Sequence, residues 1–400
     1  MKHRGRHRRR KRGQALRAFL AGTALALTGA ATVISASQAT VSTDPGALEP
    51  VTSAASLADL RLREERIPQP VPDGPAQPVG VAAVLADADR SLRAAADCTD
   101  ADRAALPIAP AATRAHCWDE ARTEEWHTGA VTTSGDADDD GRWGSNRVVL
   151  SGWSDQQGHS RVAFVDAGDQ ERLTYTWVAL TVPASGDPVG RPLVSTLSGM
   201  VWYQDKLLVT ADEGRALYLY DLDRIRRTSA DIAATAPPAR GDRYTLPAVR
   251  SYRLTGARIG ALSLDRSTTP DSLVASESVP ADGDRPTRLW RYALDDDPSG
   301  AGLLGTGPQE AYETKAADVR GVLAHRSQWY LARAAGGHGT LWRQDSGGAS
   351  GARCGTDETY LCWSGPAQSL SYWEESGEVW SQSGRMLFSL PLDTIDRALG

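Results

Sequence analysis

The sequence predicts an all-β chain folded as a β-propeller, with five blades, or six if residues 126–140 add strands of their own. Three observations support that class. An opening of Gly followed by two apolar residues occurs at Gly199-Met200-Val201, Gly260-Ala261-Leu262 and Gly321-Val322-Leu323, with a Gly-less copy at Ser369-Leu370. Each unit then closes on a Leu-aromatic pair: Leu217-Tyr218, Leu289-Trp290, Leu341-Trp342 and Leu387-Phe388. The openings are regularly spaced, 61 residues from 199 to 260, 61 from 260 to 321 and 48 from 321 to 369. A unit of this size cannot bury its own apolar face and must stack on its neighbours, the logic of a radial repeat. A β-sandwich is the competing class, but it asks for no such spacing.

The chain opens with nine Lys or Arg and no acid from Met1 to Arg17, followed by an uncharged run from Ala18 to Ile34 and small residues from Ser35 to Ala39. A basic region, an apolar region and a small-residue end read as a signal peptide over residues 1–39. If retained, the same 17 uncharged residues make a membrane anchor at the short limit of a span. Either way the body is expected outside the cytoplasm, secreted or anchored to the membrane by its leader. The whole chain has 44 basic against 50 acidic residues, a net charge of −6; without the nine leading cations it is 35 against 50, or −15. A body that acidic repels phosphate backbones and excludes nucleic acid as a partner.

Residues 40–80 are rich in Ala, Pro and Ser and read as a linker, with one helix over Leu57–Ile67 ahead of the Pro68–Pro75 run. Residues 81–125 read as a helical cap: Val81, Val84, Leu85 and Leu92 share one helical face, and a stapled loop follows. The four cysteines, Cys98, Cys117, Cys354 and Cys362, are even in number, which in an exported chain favours disulfides. Of the three connectivities, the local one (Cys98 with Cys117, Cys354 with Cys362) closes the shortest loops and is expected.

Residues 126–400 form the propeller. Arg147–Trp153, Arg161–Asp166 and Thr174–Val182 alternate as half-buried strands do and make a first blade. The four repeat units supply the rest, with middle strands at Lys206–Thr210, Ser272–Ser276, Gln328–Ala332 and Glu378–Gln382 and the Leu-aromatic strands outermost. The insertion Arg226–Arg250, with Pro237-Pro238 and Pro247, reads as a surface loop.

The sharpest local motif is Asp136-Ala137-Asp138-Asp139-Asp140-Gly141, the first half of a calcium loop. Alternate carboxylates there converge on a hard cation and Gly permits the turn. Asp136, Asp138 and Asp140 with the carbonyl of Arg142 would hold Ca²⁺. The twelfth position is Arg147 where a full loop needs Glu, so a remote acid such as Asp155 would complete the shell. A solvated acidic turn is the other reading.

Propellers place their sites where inner strands begin. The corresponding positions here are Ser198, Ile259, Arg320 and Gln368, with Arg258 alongside, and Glu277 and Arg333 at the ends of second strands. Ser198, Arg258, Arg320, Gln368 and Glu277 are the candidate ligand-binding residues; the arginines could fork onto a carboxylate or phosphate, or simply be surface charges. No His-Glu-x-x-His, Gly-x-Ser-x-Gly or Walker sequence is present, so no catalytic residue is nominated. Twelve Trp and eleven Tyr stand against three Phe, and Trp153, Trp202, Tyr203, Tyr372 and Trp373 are candidates for stacking near a rim.

The strings Gly199-Met200-Val201-Trp202-Tyr203, Tyr218-Leu219-Tyr220-Asp221-Leu222, Leu264 to Leu273 and Leu370-Ser371-Tyr372-Trp373 resemble an uncharacterised group of secreted, propeller-like proteins of high-GC bacteria. The likeness runs from about Trp118 to the C-terminus, includes the Asp136–Gly141 loop, and implies export and the fold. Relatives carry an acidic pair after Gly-Pro and a His shortly before the first repeat glycine. This chain has Gly365-Pro366-Ala367-Gln368-Ser369 and Thr196-Leu197-Ser198 there, which puts catalysis by those groups in doubt.

Two functions remain. One is an extracellular binding or scaffold propeller, calcium-stabilised, presenting its rim to a cell-wall component, a glycan or a protein. The other is a calcium-dependent propeller hydrolase of the lactonase or phosphoesterase type. The missing acid/base pair favours the first.

Overall fold

Five small antiparallel sheets stand around one axis in the computed structural model, which describes residues 43–68, 78–119, 123–228, 242–297, 302–365 and 367–400. The leader expected over residues 1–39 lies outside the described residues. Blade I runs Trp126–Thr133, Val148–Asp155, Ser160–Asp166, Thr174–Ala184 from the axis outward. Blade II is Met200–Tyr203, Lys206–Ala211, Ala216–Asp221, Tyr244–Leu254, and blade III is Ile259–Asp265, Ser272–Glu277, Thr287–Ala293, Glu310–Thr314. Blade IV is Val319–His325, Gln328–Arg333, His338–Asp345, Gly348–Gly351. Blade V is Ala367–Trp373, Glu378–Ser383, Met386–Pro391, and takes its fourth strand, Arg114–Cys117, from far upstream. Trp126–Thr133 does add a strand, but as the innermost of blade I, so the blade number is five.

The Leu-aromatic pairs now have a physical explanation. Each sits on a third strand, in equivalent register: Leu217 opposite Thr210, Leu289 opposite Ser276, Leu341 opposite Ala332, Leu387 opposite Gln382. Neighbouring side chains on a strand point to opposite faces. Leu289 therefore enters the core between blades III and IV while Trp290 enters the core between II and III. Leu387 likewise packs between V and I, and Phe388 between IV and V. The pairs of blades II, III and V thus glue a blade to both neighbours at once, whereas Trp342 of blade IV packs on Tyr360 of the loop that follows it. Fully burying such side chains contributes roughly 1.5–3 kcal/mol apiece.

The repeat glycines answer a crowding problem at the axis. A Cβ on Gly199 would come within 2.7 Å of Leu262 Cγ, and one on Gly321 within 3.1 Å of Leu370 and Ser369. In the Gly-less copy, Ser369 takes a left-handed φ of 62°. Its hydroxyl accepts the Val131 amide at 2.7 Å and donates to the Val131 carbonyl at 3.1 Å, clasping blade V to blade I.

Three expectations need correction. Residues 43–68 and 78–119 are neither a free linker nor a helical cap: they form a belt that runs along the outer strands of blades I, II, III and V and touches the third strand of blade IV, while most of the expected Pro68–Pro75 run lies outside the described residues. Gln344 of blade IV donates to the Gly46 carbonyl at 2.6 Å, and Glu49–Pro50 pairs with Glu310–Thr314 of blade III. Leu62–Glu65 pairs with the outer strand of blade II, Arg90–Ser91 with that of blade I, and Arg93–Ala94 with Arg114–Cys117 completes blade V. The helices are short, Ala54–Asp59 and Val81–Ala86. Outer strands otherwise present open rows of N–H and C=O groups, and the belt covers them. The Cys98–Cys117 bridge pins the last turn of the belt to blade V, and Cys354–Cys362 staples a loop after blade IV, as the shortest-loop pairing predicts. Finally, Arg226–Arg250 is not merely a loop. Residues from Tyr244 onward are the fourth strand of blade II, and Tyr244–Pro247 pair in parallel with Val178–Thr181 of blade I.

Candidate functional site: a cleft on the front face

Calling the face where inner strands begin the front, a cavity of about 850 Å³ opens there. Its floor is Ser198, Ile259 and Val319 at the starts of the inner strands of blades II, III and IV, and Arg258 and Arg320 stand beside them. The turns Asp212-Glu213 and Ser278-Val279 and the residue Asp318 form one bank. Val182 and the stretch Arg191–Thr196, from the outer edge of blade I, form the other. Three of the five candidate binding residues, Ser198, Arg258 and Arg320, thus meet in one cleft.

The charges on the first bank are paired. Arg258 donates to Glu213 at 3.3 Å, Arg320 lies 2.8 Å from Asp318, and Arg253 reaches Asp212 at 2.6 Å. Ser198 Oγ is 3.1 Å from Thr210 Oγ1, which also accepts the Gly199 amide at 2.9 Å. Asp212, Glu213, Asp318 and neighbouring Leu197 all hold left-handed φ angles between 50° and 54°. Such backbone costs roughly 1 kcal/mol or more per residue and persists where surrounding structure enforces it, commonly at functional sites. Arg191 on the opposite bank is exposed, has no carboxylate partner among the described residues, and acts electrostatically on the Tyr218 phenol. Burial pushes that phenol above its usual range. Val194 is 59% exposed, a large apolar side chain left in water on the cleft wall.

Glu277 and Gln368 are not in the cleft. Glu277 is 0% exposed and forms a two-pronged pair with Arg288, both contacts 2.8 Å, with Arg285 also at 2.8 Å. Gln368 faces Gln382 in the register of blade V. Arg333 donates to the Ala317 carbonyl at 2.7 Å, and burial lowers its pKa to about 10. The tryptophan candidates are structural: Trp153 and Trp373 lie in the core between blades V and I, and Trp202 packs on Trp143, while Tyr203 lines a separate cavity beside Arg266 and half-buried Tyr372 packs on His325.

The Asp136–Gly141 loop does not gather its carboxylates. Ser134–Ala137 is a helical turn that points Asp136 inward, 2% exposed, where its Oδ2 accepts Thr132 Oγ1 at 2.6 Å, Ser371 Oγ at 2.7 Å and the Thr133 amide at 3.3 Å. Asp138 and Asp140 point to solvent and cap local amides, Asp140 accepting the Arg142 N–H at 2.8 Å. Asp136, Asp138, Asp140 and Arg142 therefore do not make one coordination shell. Among the described residues the one trio of candidate ligands is Asp205, Asp221 and Asp223, at the back end of blade II. Lys206 Nζ already sits there, 2.5 Å from Asp205 and 3.7 Å from Asp221.

Sequence reasoning passed over His159, which lines the cleft with its Nδ1 2.9 Å from Asp155 Oδ2. Its position in the hairpin between two strands of blade I carries no local signature; only the packing of that hairpin beside blade II reveals it.

No protein-family model matches the chain, and no curated protein sequence matches it. Among solved structures the chain is similar to a gluconolactonase from Xanthomonas campestris, described as important in glucose secondary metabolic pathways. The identity is 15% over 82% of this chain and 99% of that one, with a TM-score of 0.32. So slight an overlap carries no functional argument, and the propeller rests on the strand pairing described above.

Proposed function

We propose that this is a ligand-binding propeller whose front-face cleft takes a small amphipathic organic acid. One observation carries this reading: an apolar wall of half-buried Val182 and Pro192 with exposed Val194 shares a cavity with an arginine that has no carboxylate partner among the described residues. The wall supports an aliphatic body, at roughly 0.8 kcal/mol per buried methylene, and Arg191 supports a carboxylate. Two disulfides support a chain destined for an oxidising compartment outside the cytoplasm. Calorimetry with straight-chain carboxylic acids of increasing length tests the reading. Affinity should rise about fourfold per methylene and fall sharply in Arg191→Ala. Length-independent binding that survives that change would overturn it.

A second reading, hydrolysis of a lactone or phosphoester in the same cleft, is favoured by His159. Asp155 holds its Nδ1, which orients the ring and leaves Nε2 to act as a base toward water. Turnover of a medium-chain lactone, lost in His159→Gln while acid binding persists, would support it. The back-face trio Asp205, Asp221 and Asp223 lies at the other end of blade II from this cleft, so calcium seated there, in place of Lys206, would support the fold and not this chemistry.

A further inference from the structure

A second cavity of about 440 Å³ adjoins the cleft, and the two share His159 and Pro192 in their walls. The chemistry of its lining is different. Asp242, Asp155 and exposed Glu125 bring three carboxylates, Gln156 and Gln157 bring amides, and Arg161 is the one full-time cation among the lining residues. Arg161 is committed elsewhere: its guanidinium stacks between the rings of Trp126 and Trp177, 3.4 and 3.7 Å from their centroids. Asp242 is 9% exposed, and among the described residues its nearest cation is Arg161 Nη1 at 4.0 Å, beyond hydrogen-bonding range.

A nearly buried carboxylate without a donor in contact is costly, and burial pushes Asp242 up to about 6. A group that brings its own positive charge and N–H donors removes that cost. An ammonium or guanidinium does so, and the surrounding amides and the Ser160 hydroxyl suit its remaining protons. The cleft next door offers an aliphatic wall and Arg191.

We propose that the cavity behind His159 is a second subsite that binds an ammonium or guanidinium group, so that cleft and cavity together hold a short basic peptide. This rests on the cleft being a binding site, and it adds the ligand's class. The aliphatic side chains lie along Val182 and Pro192–Val194, the peptide carboxylate meets Arg191, and the basic side chain enters beside Asp242. His159 stands at the junction.

The test uses the full chain and two probes, acetyl-Lys-Val-Val and the same peptide with norleucine for lysine, both with free carboxylates. Tryptophan fluorescence follows binding, since Trp126 borders the cavity. The lysine peptide should bind about tenfold more tightly, and Asp242→Asn should bring the two within about twofold of each other. Glu125→Gln, a change at an exposed position, should narrow the preference by about two- to threefold without touching the fold. Arg191→Ala should weaken both peptides alike. Equal affinities in the unaltered protein, no binding of either peptide, a preference that survives in a natively folded Asp242→Asn, or binding of neutral oligosaccharides instead would each overturn the subsite. If straight-chain acids still bind in those cases, the cleft stands and the basic subsite falls; if they do not bind either, both readings fall.

Discussion

The Asp136 carboxylate accepts the Ser371 hydroxyl at 2.7 Å, joining the end of blade I's inner strand to the inner strand of blade V. This contact closes the ring at the axis on the back face, while the Arg114–Cys117 strand closes it at the rim.

Asp136 should make stability pH-dependent. Burial raises its pKa from 3.8 to about 6, against the opposing pull of Thr132, Ser371, Thr133 and the Arg266 guanidinium. The folded state therefore prefers the neutral acid. Its contribution is whole below pH 3.8, is lost as pH rises toward about 6, and stays lost above. The loss amounts to about 3 kcal/mol at 1.36 kcal/mol per unit. In urea titrations Asp136→Asn should lack this fall, so the difference between variant and parent grows between pH 4 and 6 and is flat beyond. A constant difference would refute the assignment.

The Cys98–Cys117 bridge should matter more than Cys354–Cys362. Their separations are 19 and 8 residues, for which loop-closure entropy gives about 3 and about 2.5 kcal/mol. The first also holds the strand that completes blade V, so Cys98→Ser with Cys117→Ser should additionally open the ring. Denaturation midpoints of the two double variants compare them directly.

Gly199→Ala should destabilise by about 1–3 kcal/mol, because its Cβ meets Leu262 Cγ at 2.7 Å and Thr210 Cγ2 at 2.9 Å. Gly337, with nothing within 4 Å of a Cβ, is the control and should change by less than about 0.5 kcal/mol. Thermal melts distinguish the two.

Lys206→Met should create calcium dependence. The ammonium neutralises Asp205 and Asp221, and without it three carboxylates face one another. Millimolar calcium should then raise the melting temperature of the variant and leave the parent almost unmoved. An equal response in both would mean that the lysine does not guard the trio.

Most of the repeat was readable along the chain. The middle strands, expected at Lys206–Thr210, Ser272–Ser276, Gln328–Ala332 and Glu378–Gln382, each lie within a residue of those observed. The front-face positions Ser198, Arg258 and Arg320 followed from aligning those units. Asp136 did not follow, because Asp-x-Asp-x-Asp-Gly sets a turn but not the direction of its first carboxylate. A helical turn and two hydroxyls, one of them 235 residues away, decided that. His159 and Asp242 were equally hidden, meeting across the walls of one cavity from distant parts of blade I and the strand leading into blade II.

By itself the sequence determined the period, a propeller of five or six blades and the shortest-loop disulfide partners, because each is a matter of neighbours in the chain or of one unit repeating. Tertiary structure alone decided the belt and the two cavities. Residues 46–68 and 78–117 have too little local pattern to name their partners, and their pairing is dictated by open sheet edges that exist only once the ring has formed. The cavities are likewise spaces between blades, and no single blade encodes them.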